Sequence, residues 1–458
     1  MIEGKAARES APLPRFRPAI RWPKGVQRHP LVTTIVLALA LRLALAPLTA
    51  HLPNGLTDEG FWKHWMQAID QDGVLNIFRT TDTDYVGYHW VLWALSLVYR
   101  AMGGSSYSNS DQLLHLLVKL PSIAFDVVLI IVVYRATTVL LRQAGLGAAG
   151  TERGALVAAV VIAFQPAVLY DGSIWAQTDS MITAAMLGAL VLASLNRPFA
   201  AGSVWALGLA VKPHPIILGP VLLVLLWRAG GSRALVRASG GLLLVLALVL
   251  GPWVLTGELL QIVHVYDQLF TKERERLSEL AWNGWWIFDQ RGNPRPADQI
   301  GDLPITFKQA SLSLSLMAAG ISTAFVVFRP GLRNALVAAA YIAMAFYMLP
   351  IGSHERYLFP FLGLLLPVAI LEARWRWLYG AVSVTFFLNL FVVAPPLKRW
   401  MDRWVYEDFG VMVAGFNVVF FLIFTLLLIS RMVMDFVAVR SPDRRSNPPR
   451  LDDFARDN

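Results

Sequence analysis

Long apolar runs constrain this sequence more than any other feature. Many of them approach the roughly 20 residues with which a helix spans a bilayer. Only 16% of the 458 residues are charged, whereas soluble domains carry about 25%. The pattern therefore predicts an all-α, polytopic membrane protein and excludes a soluble globular protein.

Basic residues determine the predicted orientation, because cytoplasmic loops of membrane proteins are enriched in lysine and arginine. Seven bases precede the first apolar run, and further arginines fall in alternate turns. The net charge of +9 is thus assigned to the cytoplasmic side rather than to nucleic-acid binding. The chain has no cysteine, which excludes disulfides, thiolate metal ligands and a cysteine nucleophile.

The segment 85–101 is apolar enough to span, but counting it as a span places the basic cluster after 113–141 outside the membrane. Its length and its tyrosines and tryptophans favour an interfacial helix instead. Twelve helices then remain, and both termini are cytoplasmic. The predicted spans are 31–50, 113–141, 154–170, 178–196, 198–211, 214–229, 236–256, 305–328, 334–350, 356–373, 377–396 and 411–433.

The predicted organisation has no separate soluble domain. Two large outer segments, 51–112 and 257–304, separate the predicted spans. The predicted parts are a disordered cytoplasmic tail at 1–30, a seven-helix module at 31–256 that includes the first outer loop, the second outer loop, C-terminal helices at 305–433 and a disordered cytoplasmic tail at 434–458.

The first outer loop contains the motif TDEGFWKHWM, with Asp58, Glu59 and His64. An acid at this place can cap a helix, which is the simpler interpretation of a lone carboxylate. Asp58 could instead act as a general base that takes a proton from an acceptor hydroxyl at the membrane surface. The sequence leaves open whether Glu59 has that role.

Three later turns, IWAQTDS, KPHP and HERYLFP, fall on the same predicted face of the membrane. Helix capping, interfacial anchoring, a snorkelling lysine and interfacial ion pairs could each explain one of them. Together they favour cations that neutralise a phosphate leaving group. Their candidate residues are Trp175, Gln177, Asp179, Lys212, His354 and Arg356.

The second outer loop contains the motif AWNGWW, with Trp282, Asn283 and Trp285. Indole rings at a membrane edge suit either anchoring or stacking on a sugar ring or a lipid. Within the membrane, Arg42 and Asp126 lie near the middle of their spans, where an unpaired charge costs about 2.5–3.5 kcal/mol on insertion scales. We predict a structural ion pair between these two residues.

The motifs together resemble those of the C-type glycosyltransferases, the GT-C superfamily. TDEGFWKHWM, followed by DYVGYHW with Asp84 and Tyr85, resembles the first luminal loop of the endoplasmic-reticulum glucosyltransferases that use dolichyl-phosphate-glucose. IWAQTDS, KPHP, WNGWW and HERYLFP resemble segments of bacterial mannosyltransferases related to the enzyme that adds the second mannose to GPI anchors. The resemblance covers about 30–375. The sequence departs from it at Val86-Gly87, Ala176 and His214.

The resemblance implies a GT-C fold with two interfacial helices in the first outer loop. It implies an inverting transfer of mannose or glucose from a polyprenyl-phosphate-sugar to a hydroxyl of a glycan, glycolipid or protein. Asp58 is then the catalytic base, and His354, Arg356 and Lys212 contact the donor phosphate. The other implied substrate-binding residues are Glu59, His64, Asp84, Tyr85, Trp175, Gln177, Asp179, Trp282, Asn283 and Trp285.

No cofactor is implied by the resemblance, although a divalent metal stays open. The implied location is a bacterial plasma membrane with the active site outside, which suggests a product in the cell envelope. A lipid-linked-sugar flippase or other transporter would also contain intramembrane charge and broken helices. Such a protein is expected to have paired halves and needs no acid–base set on one face.

Overall fold

A computed structural model describes residues 29–50, 57–108, 110–272, 275–289, 294–393 and 407–440. The chain within these ranges is mostly helical. Residues 1–28 and 441–458 of the predicted tails, and most of the turn predicted between 396 and 411, lie outside them. The α-helices are α1 Pro30–Leu45, α2 Thr57–Asp72, α3 Ile77–Thr80, α4 His89–Ala101, α5 Gln112–Gln143, α6 Ala148–Ala163, α7 Pro166–Leu169, α8 Asp179–Ser194, α9 Pro198–Val211, α10 Gly219–Leu255, α11 Leu259–Lys272, α12 Trp286–Asp289, α13 Phe307–Phe328, α14 Leu332–Met348, α15 Phe359–Leu371, α16 Ala373–Val393 and α17 Asp408–Arg440.

Shorter elements connect these helices. Two strands of two residues, β1 Ser278–Glu279 and β2 Ser353–His354, pair in parallel. The 3-10 turns are Ala46–Thr49, Val74–Asn76, Val86–Tyr88 and His214–Leu218, and a π turn covers Tyr170–Ile174. The last helix continues to Arg440, beyond the boundary at 433 that the sequence predicts.

Six helices of the described chain are long and apolar enough to cross a membrane. They are α1 with its 3-10 extension, α5, α10 with the turn before it, α13, α16 and α17 up to Asp435. The pair α6 and α7, with the π turn after it, forms a seventh span if the two bent parts count as one. The shorter apolar helices α8, α9, α14 and α15 pack among these spans. The prediction of an all-α integral membrane protein is thus confirmed.

Two of the predicted spans meet at a glycine pair inside α10. Gly230 and Gly231 have non-helical backbone angles, with φ of −169° and 58° respectively. The second angle lies in the left-handed region, which glycine adopts without a Cβ clash. This break falls within the turn predicted between 214–229 and 236–256.

The predicted span 154–170 is broken near its C-terminal end. The chain bends by 49° between α6 and α7, where Pro166 cannot donate the next helical hydrogen bond. The side chain of Gln165 accepts a hydrogen bond from the backbone N–H of Ala167 at 3.3 Å. The π turn Tyr170–Ile174 that follows packs against α5 and the 3-10 turn Ala46–Thr49.

The first outer segment, which is the predicted outer loop 51–112, contains two substantial helices, α2 and α4. They pack against each other and against α5. Helix α4 has 13 residues, fewer than the roughly 20 that a perpendicular span requires. Its buried face joins Trp62, Ile69 and Ile77 in an apolar cluster. This cluster attaches the first outer segment to the helix bundle.

The predicted ion pair within the membrane is confirmed. Arg42 Nε lies 2.7 Å from Asp126 Oδ2, and both side chains are fully buried. Arg42 also donates to the backbone carbonyl of Ala163 at 2.9 Å, and Ser180 donates to Asp126. Each charge therefore has several partners, as burial away from water requires.

Candidate functional site

A cavity of about 540 Å³ lies where the first outer segment meets two turns. One turn precedes the 3-10 turn His214–Leu218, and the other precedes α15. This volume falls in the range of small-molecule sites, roughly 300–1,000 Å³. Aromatic and aliphatic side chains form most of its wall. The predicted site residues that line it are Asp58, Asp84, Tyr85, Trp175, Lys212, His354 and Arg356.

Asp58 lies in the first turn of α2 and faces the cavity. Its carboxylate accepts a hydrogen bond from Gln177 Nε2, and its Oδ2 lies 3.6 Å from Arg356 Nη1. The side chain is 16% exposed, so a ligand in the cavity can reach it. Gln177 is fully buried and does not line the cavity. Its hydrogen bond orients the carboxylate of Asp58.

Glu59 points away from the cavity into a buried cluster of cations. Its two oxygens lie 2.9 Å from His115 Nδ1 and 3.0 Å from Lys119 Nζ. Thr49 also donates to Glu59 at 3.2 Å. Burial acts to raise the pKa of Glu59, but the hydrogen bond from His115 and the charge of Lys119 outweigh burial and lower it. Of the two adjacent acids, only Asp58 is placed to accept a proton from a ligand.

Lys212 follows the last residue of α9 and has an extended backbone. Its ammonium group lies 3.0 and 3.1 Å from the two oxygens of Asp179, and 5.0 Å from the centre of the Tyr85 ring. Burial acts to lower the pKa of Lys212, but the charge of Asp179 raises it above its ordinary value. Lys212 thus supplies a fixed positive charge, and Asp179 lies behind it rather than on the wall.

Arg356 occupies the turn between β2 and α15, and β1 of the second outer segment pairs with β2. Its Nη1 lies 3.0 Å from Glu355 Oε1, and its Nη2 donates to the Tyr85 hydroxyl at 3.4 Å. The guanidinium carbon lies 5.7 Å from the centre of the Trp175 ring. His354 lies on the wall beside it. The turn therefore brings a cation to the same cavity as Asp58 and Lys212.

Tyr85 links the two cations and has a left-handed backbone, with φ of 52°. Burial raises the pKa of its hydroxyl, so the group remains protonated at neutral pH. The turn after it presses against the end of α9. A Cβ atom at Gly87 would lie 2.5 Å from the carbonyl oxygen of Ala210, which explains why a residue without a side chain occupies that position.

Trp282, Asn283 and Trp285 hold the second outer segment on the helices and do not line the cavity. The Asn283 side chain donates to the carbonyl of Tyr347 at 2.9 Å and accepts from the backbone N–H of Trp285 at 3.0 Å. Trp285 Nε1 donates to the carbonyl of Leu349. The structure thus places these three predicted substrate-binding residues in an internal network, apart from the cavity that Asp58 lines.

His64 lies on the exposed face of α2 and does not line the cavity. Part of the wall is formed by residues of the same motif that are not among the predicted site residues. Phe61, Trp62 and Trp65 line it with Asp58, at the i, i+3, i+4 and i+7 spacing of one helix face. Helical periodicity counted from Asp58 would have identified these three aromatic residues.

Glu355 and Tyr357 were missed on either side of Arg356. They alternate along the chain with the predicted site residues His354 and Arg356, and the short β2 strand gives no clear periodicity. Within the described ranges, no group of three or more histidine, aspartate or glutamate side chains is placed to hold a metal ion.

Comparison of the sequence with models of known protein families finds no match, and comparison with curated proteins finds none either. The assignment of a function therefore depends on the chemistry of the cavity. That chemistry combines carboxylates, two held cations, two histidines and an aromatic wall.

Proposed function

We propose that the protein is an inverting hexosyltransferase of the GT-C type, which moves mannose or glucose from a polyprenyl-phosphate-sugar to an acceptor hydroxyl. One observation carries this proposal: Asp58, Lys212 and Arg356 come from three distant segments and face one cavity. A carboxylate beside two cations suits a reaction in which a hydroxyl loses a proton while a phosphate departs.

In the proposed reaction, Asp58 takes the proton of the acceptor hydroxyl. The hydroxyl oxygen attacks the anomeric carbon in line, and the bond from that carbon to the phosphate oxygen breaks. The electron pair of that bond leaves with polyprenyl phosphate, whose charge Arg356, Lys212 and His354 stabilise. A single displacement inverts the anomeric centre, so a β-linked donor gives an α-linked product.

The aromatic wall suits the sugar and the start of the lipid chain. Phe61, Trp62, Trp65 and Trp175 present apolar rings to the cavity, and such rings can pack on the apolar faces of a hexose. Lipid-facing helices beside the cavity would give a polyprenyl chain access from the bilayer. We place twelve spans in the membrane, both termini in the cytoplasm, and the cavity on the outer face of a bacterial plasma membrane.

The proposal is tested with purified protein and a panel of short-chain polyprenyl-phosphate hexoses, together with glycan, glycolipid and peptide acceptors. Wild-type protein should transfer one hexose from at least one donor, with inversion. Asp58→Asn should reduce the rate constant about 10²- to 10⁴-fold, as expected when a general base is removed.

A matched control uses the same helix. Asp72 lies at the exposed far end of α2, and Asp72→Asn should retain wild-type transfer. Undiminished transfer by Asp58→Asn would refute the base assignment. Movement of intact lipid-linked sugar between leaflets, without hexose transfer to any acceptor, would support a flippase instead.

A further inference from the structure

The wall of the cavity contains a histidine that the proposed reaction does not use. His214 begins the 3-10 turn His214–Leu218, directly after Lys212 and Pro213, and it lines the cavity. Both of its ring nitrogens are buried, and neither has a hydrogen-bond partner among the described residues. A buried polar group without a partner costs about 1–3 kcal/mol, so such groups in a cavity wall point to a ligand that bonds to them.

Two aromatic rings hold the imidazole of His214 in place. Its centre lies 4.3 Å from that of Tyr357 and 5.4 Å from that of Phe346, with the rings nearly perpendicular in both pairs. Phe346 and Tyr357 also stack on each other, 5.3 Å apart. This arrangement restricts rotation of the His214 ring, so the direction of its hydrogen bonds is set before a ligand enters.

Burial of both ring nitrogens and the positive charges nearby favour a neutral imidazole. Lys212 is two residues away in the chain, and Arg356 lines the same cavity. A further positive charge beside these groups is unfavourable. A neutral imidazole has one N–H donor and one acceptor nitrogen.

One donor with one acceptor is a poor match for a phosphate, which offers only acceptor oxygens when ionised. It matches hydroxyl groups, each of which both donates and accepts. We propose that His214 binds hydroxyl groups of the sugar in this cavity and thereby sets which hexose is accepted. This inference rests on the proposed function for the identity of the ligand, a polyprenyl-phosphate-sugar. In that function, Lys212 and Arg356 hold the phosphate of the same molecule.

The experiment compares the affinity of purified protein for three lipids: farnesyl phosphate mannose, farnesyl phosphate glucose and sugar-free farnesyl phosphate. His214→Phe keeps a flat aromatic ring but removes both hydrogen-bonding atoms. His214→Gln keeps a donor and an acceptor. His64→Phe, at the exposed histidine of α2, is the matched control.

We expect wild-type protein to bind at least one sugar-bearing lipid more tightly than sugar-free farnesyl phosphate. His214→Phe should reduce that preference about 10- to 100-fold, the loss that corresponds to one or two buried hydrogen bonds. His214→Gln should retain most of the preference, and His64→Phe all of it. Affinity for farnesyl phosphate itself should be the same in all four proteins.

The inference is overturned if wild-type protein binds the three lipids equally, or if His214→Phe keeps the wild-type preference. It is also overturned if His214→Phe weakens the binding of all three lipids to the same degree. A transfer assay with the same lipids separates this result from the proposed function. Sugar-dependent binding without transfer refutes the transferase and leaves the role of His214 intact, whereas transfer with unchanged selectivity in His214→Phe refutes only that role.

Discussion

The carboxylate of Asp58 and the guanidinium of Arg356 lie 3.6 Å apart in the wall of one cavity. Opposite charges at this distance attract each other, so each group holds the other in place while the cavity is empty of substrate. A bound phosphate would compete for the same guanidinium. In the proposed reaction, donor binding therefore draws Arg356 toward the phosphate and leaves Asp58 free to accept the proton of the hydroxyl.

The first prediction concerns Arg356 itself. Arg356→Gln should raise the KM for the donor about 10- to 100-fold, because a charged hydrogen bond to the phosphate is lost. Measurement of initial rates at varied donor concentration, together with the unfolding temperature, checks this prediction. Arg276→Gln is the control, since Arg276 is 66% exposed in the second outer segment. An unchanged KM in a folded Arg356→Gln protein would remove Arg356 from the donor site.

The second prediction concerns the buried pair of Lys212 and Asp179, each of which is 1% exposed. Lys212→Met should lower the free energy of unfolding by about 3–5 kcal/mol, because Asp179 is left as an uncompensated buried charge. The double variant Lys212→Met, Asp179→Asn should recover most of that stability. Donor binding should not recover, since the cation that faces the phosphate is still absent.

Thermal unfolding in detergent and direct donor-binding measurements separate these two effects. Recovery of both stability and donor affinity in the double variant would contradict a phosphate-binding role for Lys212. Its role would then be structural.

Features that depend on local pattern could be predicted from the sequence. Apolar runs predicted an all-α membrane protein, and the break at Gly230 and Gly231 falls inside a predicted turn. The cost of a buried charge predicted the pair of Arg42 and Asp126. Asp58 was identified as a candidate because an acid follows directly after a span.

Features that depend on distant partners could not be predicted. Asp58 and Glu59 are adjacent acids that α2 points in different directions. The partners of Glu59, His115 and Lys119, belong to another helix. Asn283 is predicted to bind substrate, but its side chain donates to the backbone carbonyl of Tyr347. Sequence pattern alone cannot tell whether Glu59 or Asn283 faces the cavity or the protein interior. The packing of segments that are distant in the chain determines where each side chain lies.

The third prediction uses the pH dependence of the Glu59 cluster. Burial acts to raise the pKa of Glu59, but His115 and Lys119 outweigh it, so the folded-state pKa lies below the ordinary value of 4.5. A carboxylate with a lowered pKa contributes stability above its unfolded pKa and loses that contribution as the pH falls through its folded pKa. Glu59→Gln should therefore lower the unfolding temperature at pH 7, and the difference from wild type should narrow below about pH 4.5.

Unfolding temperatures at pH 7, 5.5 and 4 test this sign. Glu152→Gln serves as the control, because Glu152 is an exposed carboxylate on α6. A gap between wild type and Glu59→Gln that widens as the pH falls would contradict the assignment of a lowered pKa.

The last prediction concerns the orientation of the chain in the membrane. Single cysteines can be introduced freely, because the sequence has none, and Ser106, Gln143 and Asp302 are exposed. With α4 at the interface, a membrane-impermeant maleimide should label Ser106→Cys and Asp302→Cys in intact cells. Gln143→Cys should react only after permeabilisation. If 85–101 crosses the membrane instead, every later segment changes sides, so Gln143→Cys would be labelled and the other two would be protected.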